Sequence, residues 1–320
     1  SSLFSKCEKL QSVDISNFKT SKVKYLSSLF EHCTSLTSVD VSKLNLDNAT
    51  SISSMFYNCS SLRYIDVSKF DTRKVESMSS LFGLCSSLKS IDVSNFETYY
   101  VYSFGSMFYG CTQLEEIDIS KFKTNSLRDI SWMFKNCKNL KTIKFPLSIT
   151  NQLSRMSSMF DGCSSLTSLD LTLLDTSQVT TLDNLFHGCK NLKSLNIAGF
   201  DTSQVTSYNY MFSNCTSLTS MFEGCESLET IEMSKITTTK LYSMKKMFAG
   251  CKSLKELNIK NFNTDSVSEM QEMFKGCTSL TSLDLSTWKT DRCNKFDNMF
   301  DSCSSELIVT VSQTKASNMI

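Results

Sequence analysis

Fourteen cysteines are the most conspicuous reactive groups in the chain, because a thiolate can be a nucleophile, a metal ligand or half of a disulfide. Their spacing argues against all three. Cys7, Cys33, Cys59, Cys85, Cys111, Cys137, Cys163, Cys189 and Cys215 follow one another at steps of 26 residues, and Cys225, Cys251, Cys277 and Cys303 resume that step, with Cys293 alone outside it. Disulfide frameworks use paired, irregular spacings, and zinc needs clustered ligands such as CxxC. One thiol per period predicts a column of buried, reduced cysteines. Stacked units would set equivalent Cα atoms roughly 5 Å apart with parallel Cβ vectors, a poor geometry for a disulfide. His32 and His187 occupy different positions of the period, so neither is expected to complete a Ser/His/Asp or Cys/His constellation. Gly250-Cys251-Lys252-Ser253 lacks the upstream glycine of a phosphate loop. The expectation is a protein with no catalytic group, no cofactor and no bound metal.

A second candidate is the column seven residues after each cysteine: Asp14, Asp40, Asp66, Asp92, Asp118, then Lys144 and Asp170. It lies between inward-facing apolar positions, so it faces outward on a sheet. Flanked by serines such as Ser12, Ser16, Ser38 and Ser42, it reads as an acidic, ligand-facing stripe on a concave surface. Carboxylates about 5 Å apart repel by roughly 1 kcal/mol in water, so something must compensate. Serine hydroxyls and local lysines are the plainer answer; a basic or cation-carrying ligand and ordered Ca²⁺ are the sharper ones.

Thirteen residues after the cysteines runs a threonine column: Thr20, Thr72, Thr98, Thr124, Thr150, Thr176, Thr202, Thr238, Thr264 and Thr290, with Leu46 the exception. Such a row can bind ice, but each threonine also stands where a helix would begin, which predicts an N-cap. Tyr99, Tyr100 and Tyr102, with Trp132 further on, form a candidate partner patch, since grouped surface aromatics anchor interfaces. Lys138, Lys141 and Lys144, close to the single proline Pro146, read as a basic interruption of the stripe.

The elements that must position these columns follow from the same period. Apolar residues at three, six and eight after cysteine, as in Leu88, Ile91 and Val93, alternate as a short strand does. Phe96 then turns inward, and Val101, Phe104, Met107 and Phe108 repeat at three and four, which predicts a short helix or 3₁₀ segment. Three residues before each in-register cysteine stands phenylalanine, including Phe30, Phe56, Phe82, Phe108, Phe134, Phe160 and Phe186. This column is the expected structural spine. The prediction is a solenoid of stacked coils, each a strand, a turn and a short helix. Residues 1–320 read as one tandem-repeat solenoid of about 12 coils of 26 residues with truncated termini. A register break falls at 216–225, where Thr219-Ser220 runs straight into Met221-Phe222; it reads either as a truncated coil that kinks the stack or as an omitted surface loop.

The motif Cys-x-x-Leu-x-x-Ile-Asp-Val-Ser-x-Phe-x-Thr-x-x-Val-x-x-Met-x-x-Leu/Met-Phe resembles the BspA-like leucine-rich repeat, the bacterial-surface-protein class with this period. The resemblance spans essentially the whole chain and implies an α/β solenoid, a leucine-rich-repeat-like right-handed coil stack with a parallel β-sheet on its concave face and short helices on its convex face. It implies display at a cell surface or secretion, and adhesion through a protein or glycan partner, such as a host or matrix protein, with no enzymatic activity and no shared binding residues. The rival expectation is an intracellular scaffold, cytoplasmic or cytoskeletal, which reduced thiols would suit. Asn48-Ala49-Thr50, Asn58-Cys59-Ser60 and Asn214-Cys215-Thr216 are glycosylation sequons that fit the surface reading. With 33 Lys and Arg against 32 Asp and Glu, no global field favours nucleic acid, and no apolar run is long enough to insert in a membrane.

Overall fold

Leu114, Ile117 and Ile119 follow Cys111 at three, six and eight residues, and all three are buried, while Glu116 and Asp118 between them face outward. That alternation is strand β1, Glu116–Asp118. The computed structural model describes residues 1–146, 151–197, 199–215, 243–252, 254–260 and 262–312, in two compact units, Ser1–Leu153 and Ser154–Ile320. In the first unit β1 pairs in parallel with β2, Thr142–Lys144, in the register Glu116↔Thr142, Ile117↔Ile143, Asp118↔Lys144. The second unit holds β3, Ser168–Asp170, paired with β4, Ser194–Asn196, and β5, Ser282–Asp284, paired with β6, Ile308–Thr310. Each pair joins residues one period apart. This is a solenoid of short parallel strands.

The short helix expected after Thr98 is not formed; no helix occurs among the described residues. The N–H groups of Phe104, Ser106, Phe108 and Gly110 donate to the carbonyls of Asp129, Ser131, Met133 and Lys135 in the next coil at 2.8–3.0 Å. The N–H groups between them, on Met107, Tyr109 and Cys111, close tight turns onto Phe104, Ser106 and Phe108. An α-helix needs its N–H groups directed four residues back along its own chain, and here every second one is committed to a neighbouring coil. Left-handed residues at Ser106 (φ 58) and Gly110 (φ 68) reverse the curl at each turn. The run of turns still sends Val101, Phe104, Met107 and Phe108 inward, so the spacing of three and four arises without a helix.

Threonine therefore has no helix to cap. Thr98 is fully buried, and its Oγ1 accepts from the backbone N–H of Lys123 at 2.7 Å and donates to the carbonyl of the same residue at 2.9 Å. Thr72 grips Glu97 in the same way, as Thr264 grips Lys289 in the second unit. The column is a row of brackets between coils, and a buried row presents no threonine surface to ice. Thr150 and Thr238 lie outside the described residues.

Behind the turns, Phe30, Phe56, Phe82, Phe108 and Phe134 are fully buried and stack face to face at centroid separations of 5.6–5.9 Å. Phe160, Phe186, Phe212, Phe248 and Phe274 form the equivalent column of the second unit. That column settles the geometry on either side of the register break. Phe212 stacks directly on Phe248 at 5.6 Å, and the Cys251 thiol donates to the Phe212 carbonyl at 3.1 Å. Phe212 and Phe248 are 36 residues apart, and the register break at 216–225 lies outside the described residues. Phe222 and Cys225 themselves lie outside the described residues.

Two replacements test this account in urea denaturation. Thr98→Val removes both hydrogen bonds to the Lys123 backbone and is expected to cost about 1–3 kcal/mol, with Thr98→Ser recovering most of it. Phe108→Ala, at a ring stacked on both faces, is expected to cost about 3–5 kcal/mol.

Candidate functional site

The aspartate column faces solvent, and its carboxylates already have work to do. Oδ1 of Asp14, Asp40, Asp66, Asp92 and Asp118 accepts a hydrogen bond from the backbone N–H two residues on, at Ser16, Ser42, Ser68, Ser94 and Ser120, at 2.8–3.0 Å. Asp170 does the same with Thr172 at 2.9 Å. Each carboxylate closes the turn that follows it. These bonds favour the ionised form and hold Asp14, Asp40, Asp66 and Asp92 below the usual carboxylate range. Asp118 is lowered to about 2, chiefly by Ser120 and then by the Lys144 ammonium 3.2 Å from Oδ2.

Lys144 sits beside Asp118 because β1 and β2 are in register, and Lys141 reaches Glu115 at 2.8 Å by the same logic. The basic interruption is therefore one half of a set of ion pairs between coils. Glu97–Lys123, Asp265–Lys289 and Glu269–Lys295 follow the same scheme. Exposed pairs of this kind add little stability individually but leave the surface locally neutral.

Among the described residues the column thiols from Cys33 to Cys277 point into the core, while Cys7 is exposed. Cys33, Cys59, Cys85, Cys111 and Cys137 each donate from Sγ to the carbonyl of the phenylalanine 29 residues earlier at 3.0–3.1 Å, and Cys189, Cys215 and Cys277 repeat the contact in the second unit. Burial raises their pKa values, to about 11 for Cys33 and about 12 for Cys277, so almost no thiolate forms near neutrality. No group of His, Cys, Asp and Glu among the described residues is placed to hold a metal ion.

Two networks escape a reading of single positions. Ser27, Ser51, Ser53, Ser77, Ser79 and Ser103 link their hydroxyls in one zigzag at 2.8–3.3 Å that climbs four coils. Asp161, His187 and Ser213 lie one period apart and share a column, with His187 Nδ1 2.7 Å from Asp161 Oδ1. The residue types are those of an acyl-transfer triad. Nε2, however, meets the Asn214 amide at 3.4 Å, and no hydrogen bond joins it to the Ser213 hydroxyl. Adding one period to Asp161 would have found the pair from sequence.

The aromatic candidates divide. Tyr99 and Tyr100 meet edge to face at 5.0 Å, and the Tyr102 backbone is hydrogen-bonded between Glu76 and Arg128 of the flanking coils. Trp132 stands under the Lys135 ammonium at 5.5 Å, and no ring contact joins it to the tyrosines. All four side chains are about half exposed, at 47–57 per cent.

The family model described as "Mycoplasma protein of unknown function, DUF285" matches residues 1–64, 51–151, 147–220 and 216–317. No curated protein sequence matches the chain. Among solved structures, a leucine-rich repeat protein from Bacteroides ovatus is 17% identical over 96% of this chain and 76% of that one, with a TM-score of 0.48. A leucine rich cell surface protein from Faecalibacterium prausnitzii is 18% identical over 89% of this chain and 82% of that one, with a TM-score of 0.42.

A pH titration of stability checks the turn-closing role of the stripe. The folded pKa values lie below the ordinary 3.8, so the stabilisation is present above that value and is lost as pH falls through the folded ones. The melting temperature is expected to hold down to about pH 4 and to fall progressively towards about pH 2. Asp118→Asn should flatten the lower part of that fall.

Proposed function

Because the chain belongs to the family described as Mycoplasma protein of unknown function, DUF285, and is built of BspA-like leucine-rich repeats, we propose that it is a non-enzymatic recognition protein. It works at a cell surface or in secreted form and binds a protein or glycan, such as a host or matrix component, over its repeat surface.

The observation that carries this reading is the exposure of Tyr99, Tyr100 and Tyr102 on a surface where nearby charges such as Glu97–Lys123 and Glu115–Lys141 are paired between coils. Large apolar rings held at the surface by a stiff backbone lose little conformational entropy on binding, which is why tyrosine and tryptophan dominate interface hot spots. Trp132, about half exposed, offers a separate anchor. The aspartate stripe is a weaker candidate contact, since its carboxylates are committed to closing turns. The stripe is net acidic and the tyrosine patch carries no charge of its own, in keeping with a partner other than nucleic acid.

The buried thiol column favours one other reading, an intracellular scaffold, because reduced cysteines are the norm in that compartment. Burial also shields those thiols from oxidants outside the cell, so the column fits either location. The sequon residue Asn48 is exposed, though its amide donates to the Ser21 carbonyl at 2.7 Å, and Asn58 is half-buried against His32.

Labelling of intact cells with a membrane-impermeant biotin reagent separates the two readings: the chain is expected among the labelled proteins, and its labelling only after lysis would favour the scaffold. Tyr99→Ala, Tyr100→Ala and Tyr102→Ala together should leave the melting temperature nearly unchanged. They are expected to reduce adhesion to immobilised matrix proteins or glycans by about thirtyfold in affinity, the effect of losing a hot spot of about 2 kcal/mol.

A further inference from the structure

The outward face of the last parallel strands in the second unit contains a groove. Glu256, Ser282 and Ile308 stand in one line across three adjacent chain segments, since Glu256 bridges Ser282 and Ser282 pairs with Ile308. The middle residue is the smallest. With segments about 4.8 Å apart, the flanking side chains stand roughly 10 Å from each other over a serine floor. Asn258, Asp284 and Thr310 form the second row, and the whole depression measures about 380 Å³.

Its two walls differ in chemistry. Ile308 is 70% exposed, the most exposed large apolar side chain of the described residues. Opposite it, the Glu256 carboxylate takes part in no hydrogen bond or ion pair among the described residues. That sets it apart from Glu97, Glu115 and Glu269, each paired with a lysine one coil away. Within the groove, Lys260 is already bound to Asp284 Oδ2 at 2.6 Å, and Ser286 N–H occupies Asp284 Oδ1. The pair cancels its own charge and closes one end. What remains is one unengaged anion facing an exposed hydrocarbon wall across a slot one side chain wide.

We propose that this groove receives an arginine or lysine side chain from an extended segment of a partner protein. The aliphatic stem lies over Ser282 against Ile308, and the cationic head pairs with Glu256, a division of labour that suits long basic side chains. The assignment deepens the recognition reading above and rests on it, naming the partner chemistry for one place on the repeat surface.

The test uses the full chain with isoleucine methyl groups labelled for NMR, titrated with a capped five-residue peptide of glycine and serine around a central arginine. A matched peptide carrying citrulline keeps the shape and removes the charge. The arginine peptide is expected to shift the Ile308 methyl signal saturably, the citrulline peptide to bind about tenfold more weakly, and Glu256→Gln to weaken arginine binding by a similar factor. Ser282→Trp should block the slot, while Glu115→Gln, at a paired carboxylate in the other unit, should change nothing. Equal binding of the two peptides, or no effect of Glu256→Gln, would overturn the proposal. So would concentration-dependent dimerisation that Glu256→Gln abolishes, since it would assign the groove to a second copy of the chain. The adhesion assay on the tyrosine variants involves none of these residues, so failure here leaves that result standing, and failure there is read independently.

Discussion

Every coil of this protein relies on its neighbours for hydrogen bonds that a helix or a hairpin would make internally. A run such as Ile52, Ser54, Phe56 and Asn58 sends alternate N–H groups to Ser77, Ser79, Leu81 and Gly83 of the next coil. Unpaired buried backbone groups cost on the order of 1–3 kcal/mol each, so the chain must return to the same phase after each circuit. The 26-residue period is the sequence record of that requirement. Phe212 and Phe248, 36 residues apart, stack as phenylalanines of neighbouring coils do.

The same demand explains why residue types repeat in columns. A threonine bracket needs a hydroxyl that can both accept and donate, and a thiol donates to a carbonyl left over by the phenylalanine turn. The left-handed positions ahead of each cysteine carry glycine at Gly110, Gly188 and Gly276, and elsewhere residues such as Asn58 and Asn214. Gly110 shows the limit of that tolerance, because a β-carbon there would lie against the Leu84 side chain. None of these columns is free to become a binding site without loosening the stack.

Recognition is thereby pushed to positions the stack does not use. The exposed tyrosines follow Thr98 where the chain has just been bracketed to its neighbour, so their backbone is stiff although their rings are open to solvent. Glu256 and Ile308 flank Ser282 through backbone pairing, and their side chains depart from the local pattern. Departures from the column consensus, more than the consensus itself, mark the surface available to a partner.

Sequence alone determined the repeat, its period, the phenylalanine and cysteine columns and the strand, because inward-facing residues recur at fixed intervals and burial selects their type. It also picked out the aspartate and threonine columns, but not what they do. Hydrogen-bond direction is not written in residue spacing: the same threonine could cap a helix or clasp the next coil, and the same aspartate could await a cation or close its own turn. Tertiary structure decided these cases, since the partner of Thr98 lies 25 residues away and becomes its neighbour only once the coils are stacked. The helix failed for the same reason. Val101, Phe104, Met107 and Phe108 report that one face is buried, and only the neighbouring coil reveals that their backbone bonds run across the stack and not along it.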